Sequence, residues 1–321
     1  MFIRKVIIFI KRLIFSFCRD CKFSARFAFL RLGESLFGRV GIKSIANKLV
    51  TKRQNWLYSY LSNELISVAE KYKNESSTGK QTENSPIWVC WWTGLDSAPA
   101  LVKKCVLSTV NNAGDHPVHI LTQDNIGEYI DIPPHMTDKV KSGQMGLAHL
   151  ADYLRVKLLS IYGGLWLDAT MFCSDTVPEL CFDLPVYTCK GPVRKSKYVS
   201  DYRWDTFCLG GWKGNVFYRY LAEALETYWR NNSTAIDYLF FDYVILRGYS
   251  CIPAIKLFLD NVPDNNIHRD DLQAAMNAAL PASQFDSVIQ SDTVLYKLSW
   301  RESYSEFSQN GEESVYAHFV K

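Results

Sequence analysis

The 321-residue chain lacks an apolar run long enough to cross a bilayer, a paired-cysteine pattern and a marked excess of either charge. A spanning helix needs about 20 mostly apolar residues. Lys11 and Arg12 break the amino-terminal run before that length. With no small-residue cleavage site visible, a secretory signal is not expected either. The nine cysteines are scattered without paired spacing, which points to a reducing compartment rather than a disulfide framework. Cys18 and Cys21 form a C-x-x-C, but no second Cys/His pair follows at zinc spacing, so zinc is not expected. Lys and Arg number 36 against 33 Asp and Glu, and a net charge of +3 leaves no global footprint for nucleic acid. No internal repeat or low-complexity block is present, which argues against a solenoid or a disordered tract.

What is there suits a globular chain. Hydrophobic residues make up 48% and charged residues 21%, and the length allows one large domain or two small ones with a sizeable core. Aromatic residues reach 14%. Such rings fill cores, and they also stack on bases and sugars.

The first 30 residues, "MFIRKVIIFIKRLIFSFCRDCKFSARFAFL", alternate apolar clusters with cations. On a helical projection Arg4, Lys5, Lys11, Arg12, Arg19, Lys22 and Arg26 fall within an arc of about 120°. Most of the apolar residues lie outside it, with Ile8 and Phe15 as exceptions. The pattern predicts an in-plane interfacial helix over residues 1–32, its cations on an anionic membrane surface. A helix docked on its own domain with a solvated basic face is the other reading. Residues 33–85 read as a helical segment followed by the polar linker "KYKNESSTGKQTENSP".

From Pro86 the pattern changes. "IWVCWW" is a short strand ending at Thr93 and Gly94, "APALVKKCVLSTVNNAG" a helix closed by Gly114, and "PVHILT" another strand. Strand, helix, strand with short links predicts an α/β domain with parallel pairing over residues 86–321. Sites in such sheets gather at the carboxyl ends of strands.

In "GLAHLADYLRVKLLSIYGG", Leu147, Leu150, Leu154, Leu158 and Ile161 share a helix face, predicted to be the packed one. Asp152 and Arg155, three apart, share a flank away from it. Gly163 and Gly164 end the helix. "LWLDATMF" then reads as a strand with Trp166, Asp168 and Thr170 on one side and Leu165, Leu167 and Ala169 on the other. Helix and strand together bring Asp152, Arg155 and Asp168 toward one region.

The run "AHLADYLRVKLLSIYGGLWLDAT" resembles the sugar-binding segment of glycosyltransferases with a D-x-D motif, and most of all the bacterial capsular polysaccharide synthesis protein family. "PIWVCWWTG", "NNAGDHPVHILTQDN", "FCLGGWKGN", "IDYLFFDYVI" and "LYKLSWR" extend the likeness over most of the chain from Pro86 onward. The resemblance implies a GT-A fold, a Rossmann-like mixed sheet flanked by helices, here with an amino-terminal helical extension. It implies a UDP-sugar donor, with Trp92, Thr93 and Gly94 cradling the uridine, Asp152 and Arg155 at the sugar or ribose, and Lys297 and Trp300 on a late donor-contacting loop, a surface lysine on a strand being the other reading of Lys297. Asp168 matches the first acid of the motif. It also implies transfer, with retention of configuration, to a capsular or surface polysaccharide, or to a lipid-linked saccharide; the basic amino-terminal helix suits an enzyme at the inner face of the cell membrane.

Thr170 stands where the motif has its second acid. A divalent ion, Mn²⁺ or Mg²⁺, is therefore expected on Asp168 and Thr170 with the donor's phosphates completing the shell, and His318 is a candidate further ligand. A lone histidine near a terminus is also read as structural. Asp242, in an apolar helix-like stretch with Asp237, is a candidate catalytic carboxylate facing the acceptor, or else a cap or ion pair. Gly210, Gly211 and Gly214 suit a loop approached closely by sugar, or a plain turn. Loss of the second acid also allows an inactive sugar-binding scaffold, and a membrane-surface adaptor with aromatic strand ends as core is a third reading.

Overall fold

The computed structural model describes residues 2–279 and 291–321. Residues 2–72 are helical: α1 (Phe2–Cys21), α2 (Ala25–Arg39), α3 (Lys43–Glu64) and α4 (Ile66–Tyr72). The single helix expected over 1–32 is thus two. The break is closed by the N–H groups of Phe23 and Ser24 on the Asp20 carbonyl, and Ser24 is extended at the start of α2. The side chains of Arg4 and Lys5, expected in the basic stripe, lie outside the described residues.

The two helices differ in attachment. Ile7, Ile8, Ile10, Ile14 and Phe15 of α1 are all exposed. On α2, Phe27 is fully buried and stacks on Trp56 of α3 at 4.8 Å, which stacks on Tyr60 at 5.2 Å. Beyond α1, Phe29, Leu36, Phe37, Val40 and Ile42 are also exposed.

The segment after α4 is stitched down rather than loose. Lys80 and Lys213 exchange backbone hydrogen bonds of 2.9 and 3.1 Å, and the Asn215 amide donates to the Thr78 carbonyl at 2.7 Å. Gly79 has φ +85°, and a Cβ there would lie 2.5 Å from the Lys213 carbonyl, so no other residue fits this approach.

Beyond it lie β1 (Ile87–Cys90), α5 (Ala100–Asn111), β2 (Val118–Leu121), α6 (Pro134–Lys141) and α7 (Leu147–Tyr162). Next come β3 (Gly164–Asp168), β4 (Met171–Cys173), α8 (Leu180–Asp183), β5 (Val186–Thr188) and β6 (Cys208–Gly211). The last elements described are α9 (Val216–Asn231), α10 (Phe240–Cys251), α11 (Pro253–Asn261), α12 (Asp271–Ala275), β7 (Leu295–Lys297) and α13 (Val315–Val320). Five strands form a mixed sheet in the order β2-β1-β3-β6-β5. β1 runs parallel to β2 and β3, whereas β6 is antiparallel to β3 and β5. β4 and β7 make a separate antiparallel ribbon.

Strand alternation divides the core. Trp88, Trp166 and Leu209 point to one face, where they pack with α7, α9 and α10. Ile87, Val89, Leu165 and Leu167 point to the other, against Val102 and Val106 of α5. The buried Trp88 indole donates to the Gly163 carbonyl at 3.0 Å, which ties β1 to the end of α7 and leaves no orphan donor. Gly163 (φ +72°) and Gly164 (φ +95°) turn the chain directly from helix to strand. A Cβ on Gly164 would meet the Pro86 carbonyl at 2.1 Å. The tight turn fixes how far Asp168 stands from α7.

Candidate active site

The register aligns Cys90, at the end of β1, with Asp168, at the end of β3. Above these carboxyl ends opens a cleft of about 510 Å³, the expected position for a site in such a sheet. Trp92, Thr93, Asp152, Arg155, Asp168 and Thr170 line it, and so do Asp242, Lys297 and Trp300. Gly94 (φ +80°) forms the turn just beyond Thr93, its N–H on the Trp91 carbonyl at 2.9 Å, and is not itself in the lining.

On α7, Leu150, Leu154 and Leu158 are buried as the periodicity predicts. Leu147 and Ile161 of the same predicted face are exposed, and Leu147 borders the cleft. Arg155 leaves the apolar face as expected but is not solvated. Only 4% of it is exposed, with its guanidinium 5.1 Å from the Trp166 ring centre. A buried guanidinium needs carboxylates, and it has two. Nη1 donates to Asp152 Oδ1 at 2.8 Å and Nη2 to Asp168 Oδ1 at 2.9 Å. The Trp166 indole donates to the same Asp168 oxygen at 3.0 Å.

The other Asp168 oxygen, Oδ2, accepts from Lys297 Nζ at 3.2 Å. That ammonium also donates to Thr170 Oγ1 at 2.6 Å. Burial alone would raise Asp168, but Lys297 and then Arg155, with the Trp166 N–H, outweigh it and hold the carboxyl below its ordinary range. Burial likewise works against the Arg155 charge, and Asp168 and Asp152 more than offset it.

The expected extended run through Thr170 is interrupted. The chain turns at Ala169–Thr170 before β4 begins. Thr170 Oγ1 nonetheless reaches the same cation as Asp168, because β4 pairs Met171 with Lys297 across the ribbon.

This geometry bears directly on the expected Mn²⁺ or Mg²⁺. Such ions bind through carboxylates and other oxygens with free lone pairs directed at one point. Here an ammonium bridges the two nominated oxygens. Among the described residues, no group of three or more His, Cys, Asp or Glu side chains could hold an ion. His318 lies exposed on α13 and does not line the cleft. The side chains as arranged do not fit a protein-held divalent ion.

Asp242, at the start of α10, accepts from the Trp204 indole at 2.9 Å. Burial, opposed by that N–H and reinforced by Asp152, pushes its carboxyl up to about 6. Its partner in the same stretch has a different fate. Asp237 is bound by Arg31 and by Arg53, the latter at 3.0 Å, away from the cleft.

Other groups near the site escaped the sequence reading. His149, one turn before Asp152 on α7, is buried with Nδ1 3.6 Å from Asp152 Oδ2 and no hydrogen-bond partner. Its i−3 spacing from Asp152 was a legible signal. Asp205 is paired with Arg269 at 2.9 Å, yet burial dominates and its carboxyl is pushed up to about 7, with Asp242 adding to the rise. No local pattern links residues 205 and 269. The Gly210–Gly211 pair lies inside β6 rather than in a cleft loop. A Cβ on Gly211 would sit 2.5 Å from the Pro185 carbonyl, so strand packing requires glycine there.

Comparison with known proteins adds an independent line. The model of the family described as capsular polysaccharide synthesis protein matches residues 39–319. The O-glycosyltransferase braB of Annulohypoxylon truncatum is 25% identical over 162 residues, 46% of this chain and 38% of that protein. The glycosyltransferase afumC of Aspergillus fumigatus is 28% identical over 131 residues, 37% of this chain and 32% of its own. The O-glycosyltransferase PaGT of Phomopsis amygdali is 32% identical over 93 residues, 26% of this chain and 22% of its own. The matches therefore span well under half the length of each of these relatives.

Proposed function

The chain belongs to the capsular polysaccharide synthesis protein family, and from that premise we propose that it is a glycosyltransferase. In this reading it moves a hexose-type sugar from a UDP-sugar to a capsular or surface polysaccharide, or to a lipid-linked saccharide. The observation that supports it most is the convergence of Asp152, Arg155, Asp168 and Lys297 at the carboxyl ends of parallel strands. The mixed sheet and its helical layers are compatible with a GT-A arrangement.

Breaking a glycosyl–diphosphate bond places growing charge on the leaving phosphate, and fixed cations stabilise that charge. Arg155 and Lys297 supply the cations, and Asp168 holds both in place. Asp152 orients the donor sugar. Trp92 and Thr93, with the Gly94 turn beyond them and Trp300 packed edge-on against Trp91, receive the nucleobase and ribose. For retention, the acceptor oxygen attacks C1 on the face that the diphosphate leaves. The C1–O bond electrons go to the diphosphate, and the acceptor proton passes to it. If configuration inverts instead, Asp242 is the base, and product anomer NMR separates the two.

α1 supports a membrane-surface setting for this reading. Its exposed apolar residues, together with Lys11 and Arg12, suit the inner surface of an anionic membrane. No helix among the described residues is long and apolar enough to cross a membrane. Thr170 in place of a second acid favours one rival, an inactive sugar-binding scaffold of a capsule assembly complex. Purified protein incubated with a panel of UDP-sugars and acceptors, with UDP release measured, tests the proposal. UDP binding without turnover of any donor would favour the scaffold.

A further inference from the structure

We propose that the Lys297 ammonium takes the place of the divalent cation at this site, so that the chain binds its nucleoside-diphosphate donor and transfers sugar without a metal ion. The inference rests on the donor reading above and deepens it.

Three observations lead to it. The first is position. Lys297 Nζ lies between Asp168 Oδ2 and Thr170 Oγ1, at 3.2 and 2.6 Å, the two oxygens nominated to hold an ion. The second is how firmly the lysine is held there. Its backbone is in β7 opposite Met171, its N–H donates to the Arg269 carbonyl at 2.8 Å, and the next N–H, of Leu298, donates to the Thr170 carbonyl at 2.9 Å. The Phe207 ring, centred 5.2 Å from Nζ, forms a wall beside the ammonium. A strand thus delivers the cation, and Thr170 is fixed to that strand through both its side chain and its backbone.

The third is charge. Asp152 and Asp168 carry two negative charges, and Arg155 and Lys297 balance them. An acid pair facing a divalent ion would leave a net deficit for the ion to fill. The four ion-paired groups leave none among themselves, Asp242 of the same cleft being hydrogen-bonded to the Trp204 indole, and a hydroxyl at 170 accepts from an ammonium without adding charge. An ammonium has three donors. Two are committed to Asp168 and Thr170, and one remains for a phosphate oxygen entering the cleft. The Lys297 side chain is one-quarter exposed, so that oxygen can reach it. In the transfer step the C1–O electron pair leaves on the diphosphate, the acceptor oxygen bonds to C1 and its proton goes to the released diphosphate. The ammonium and Arg155 meet the new charge, and no further reactant is needed.

The test is calorimetric binding of UDP and GDP to the full chain after metal removal, in EDTA and again with Mn²⁺ or Mg²⁺, alongside UDP release from UDP-sugars under the same conditions. The expected result is UDP affinity within about 3-fold in EDTA and in metal, with turnover equally indifferent. Lys297→Ala should weaken UDP by about 30-fold, the worth of a charge-assisted hydrogen bond, and added metal should not restore it. The Thr170→Asp/Lys297→Ala double variant should gain Mn²⁺-dependent UDP binding, since it rebuilds an acid pair without the ammonium. Wild-type UDP binding that disappears in EDTA and returns with Mn²⁺ overturns the inference while leaving the donor reading intact. Absence of nucleotide binding in every condition removes the donor reading, and the inference with it.

Discussion

Asp237 and Asp168 are each gripped by a pair of cations, and they have different consequences. Asp237 is held by Arg31 of α2 and Arg53 of α3, whose other contacts are Asp20, Glu34 and the Ile236 carbonyl. Every member of that network is a protein group, and the Asp237 side chain is 14% exposed. Asp168 is held by Arg155 and Lys297, and its side chain is 30% exposed to a cleft. The chemistry is the same. What differs is whether the remaining side is closed by helices or open to a ligand. The first network fastens the amino-terminal helices to the domain, and the second, in the proposed function, keeps two cations ready for an anion.

Breaking the two networks in turn should separate these roles. Asp168→Asn should lower transfer by about 1,000-fold, the upper range for losing electrostatic preorganisation, far more than the stability it costs by leaving the buried Arg155 with one carboxylate. Initial rates and a thermal melt check this, and near wild-type transfer would refute the site. Asp237→Ala should do the reverse. It leaves two partly buried arginines with one fewer partner and should cost about 3 kcal/mol of stability, read from denaturant midpoints, with transfer by the folded protein changed less than about 3-fold.

Truncation sharpens the contrast. Removing residues 1–18 should reduce binding to anionic vesicles by about 10-fold or more and spare transfer to a soluble acceptor. Removing residues 1–32 also takes away Phe27, Asp20 and Arg31, so it should lower stability as Asp237→Ala does. Equal stability of the two truncations, measured by melting, would show that the outer network does not fasten the helices.

The smallest effect concerns pH. Asp168, depressed by its cations, contributes stability that is fully present above the ordinary carboxylate range and is lost below that range, as pH falls through its lowered folded-state value. Asp242 and Asp205, raised by burial to about 6 and about 7, have the opposite sign. Between about pH 4 and those values the native state holds protons that the unfolded chain releases, so stability falls as pH rises. Asp242→Asn should flatten part of that decline, read as melting temperature between pH 4 and 7. An unchanged slope would remove Asp242 from the account.

Much of the site's α7–β3 half was legible because its residues are close in the chain. Helical spacing put Asp152 beside Arg155, the glycine pair predicted the turn, and strand alternation set Trp166 and Asp168 against Leu165 and Leu167. The burial of the Asp20 side chain at the break between α1 and α2 was not legible, because it depends on Arg31 of the following helix. Nor was the fate of Asp237 and Asp242. Five residues apart in one apolar stretch, one is tied to α2 and α3 and the other to Trp204 beside the cleft.

Periods of 3.6 and 2 and the glycine turn are local, set by sterics and backbone hydrogen bonds within a few residues, and the sequence by itself determined those. It also carried the resemblance to the family whose model matches residues 39–319. Which cation stands between Asp168 and Thr170 was decided only by tertiary structure. The residue that does so is 127 positions away from Thr170 and arrives by the pairing of β4 with β7. No side-chain pattern encodes that pairing, because it depends on the whole intervening chain closing into one fold.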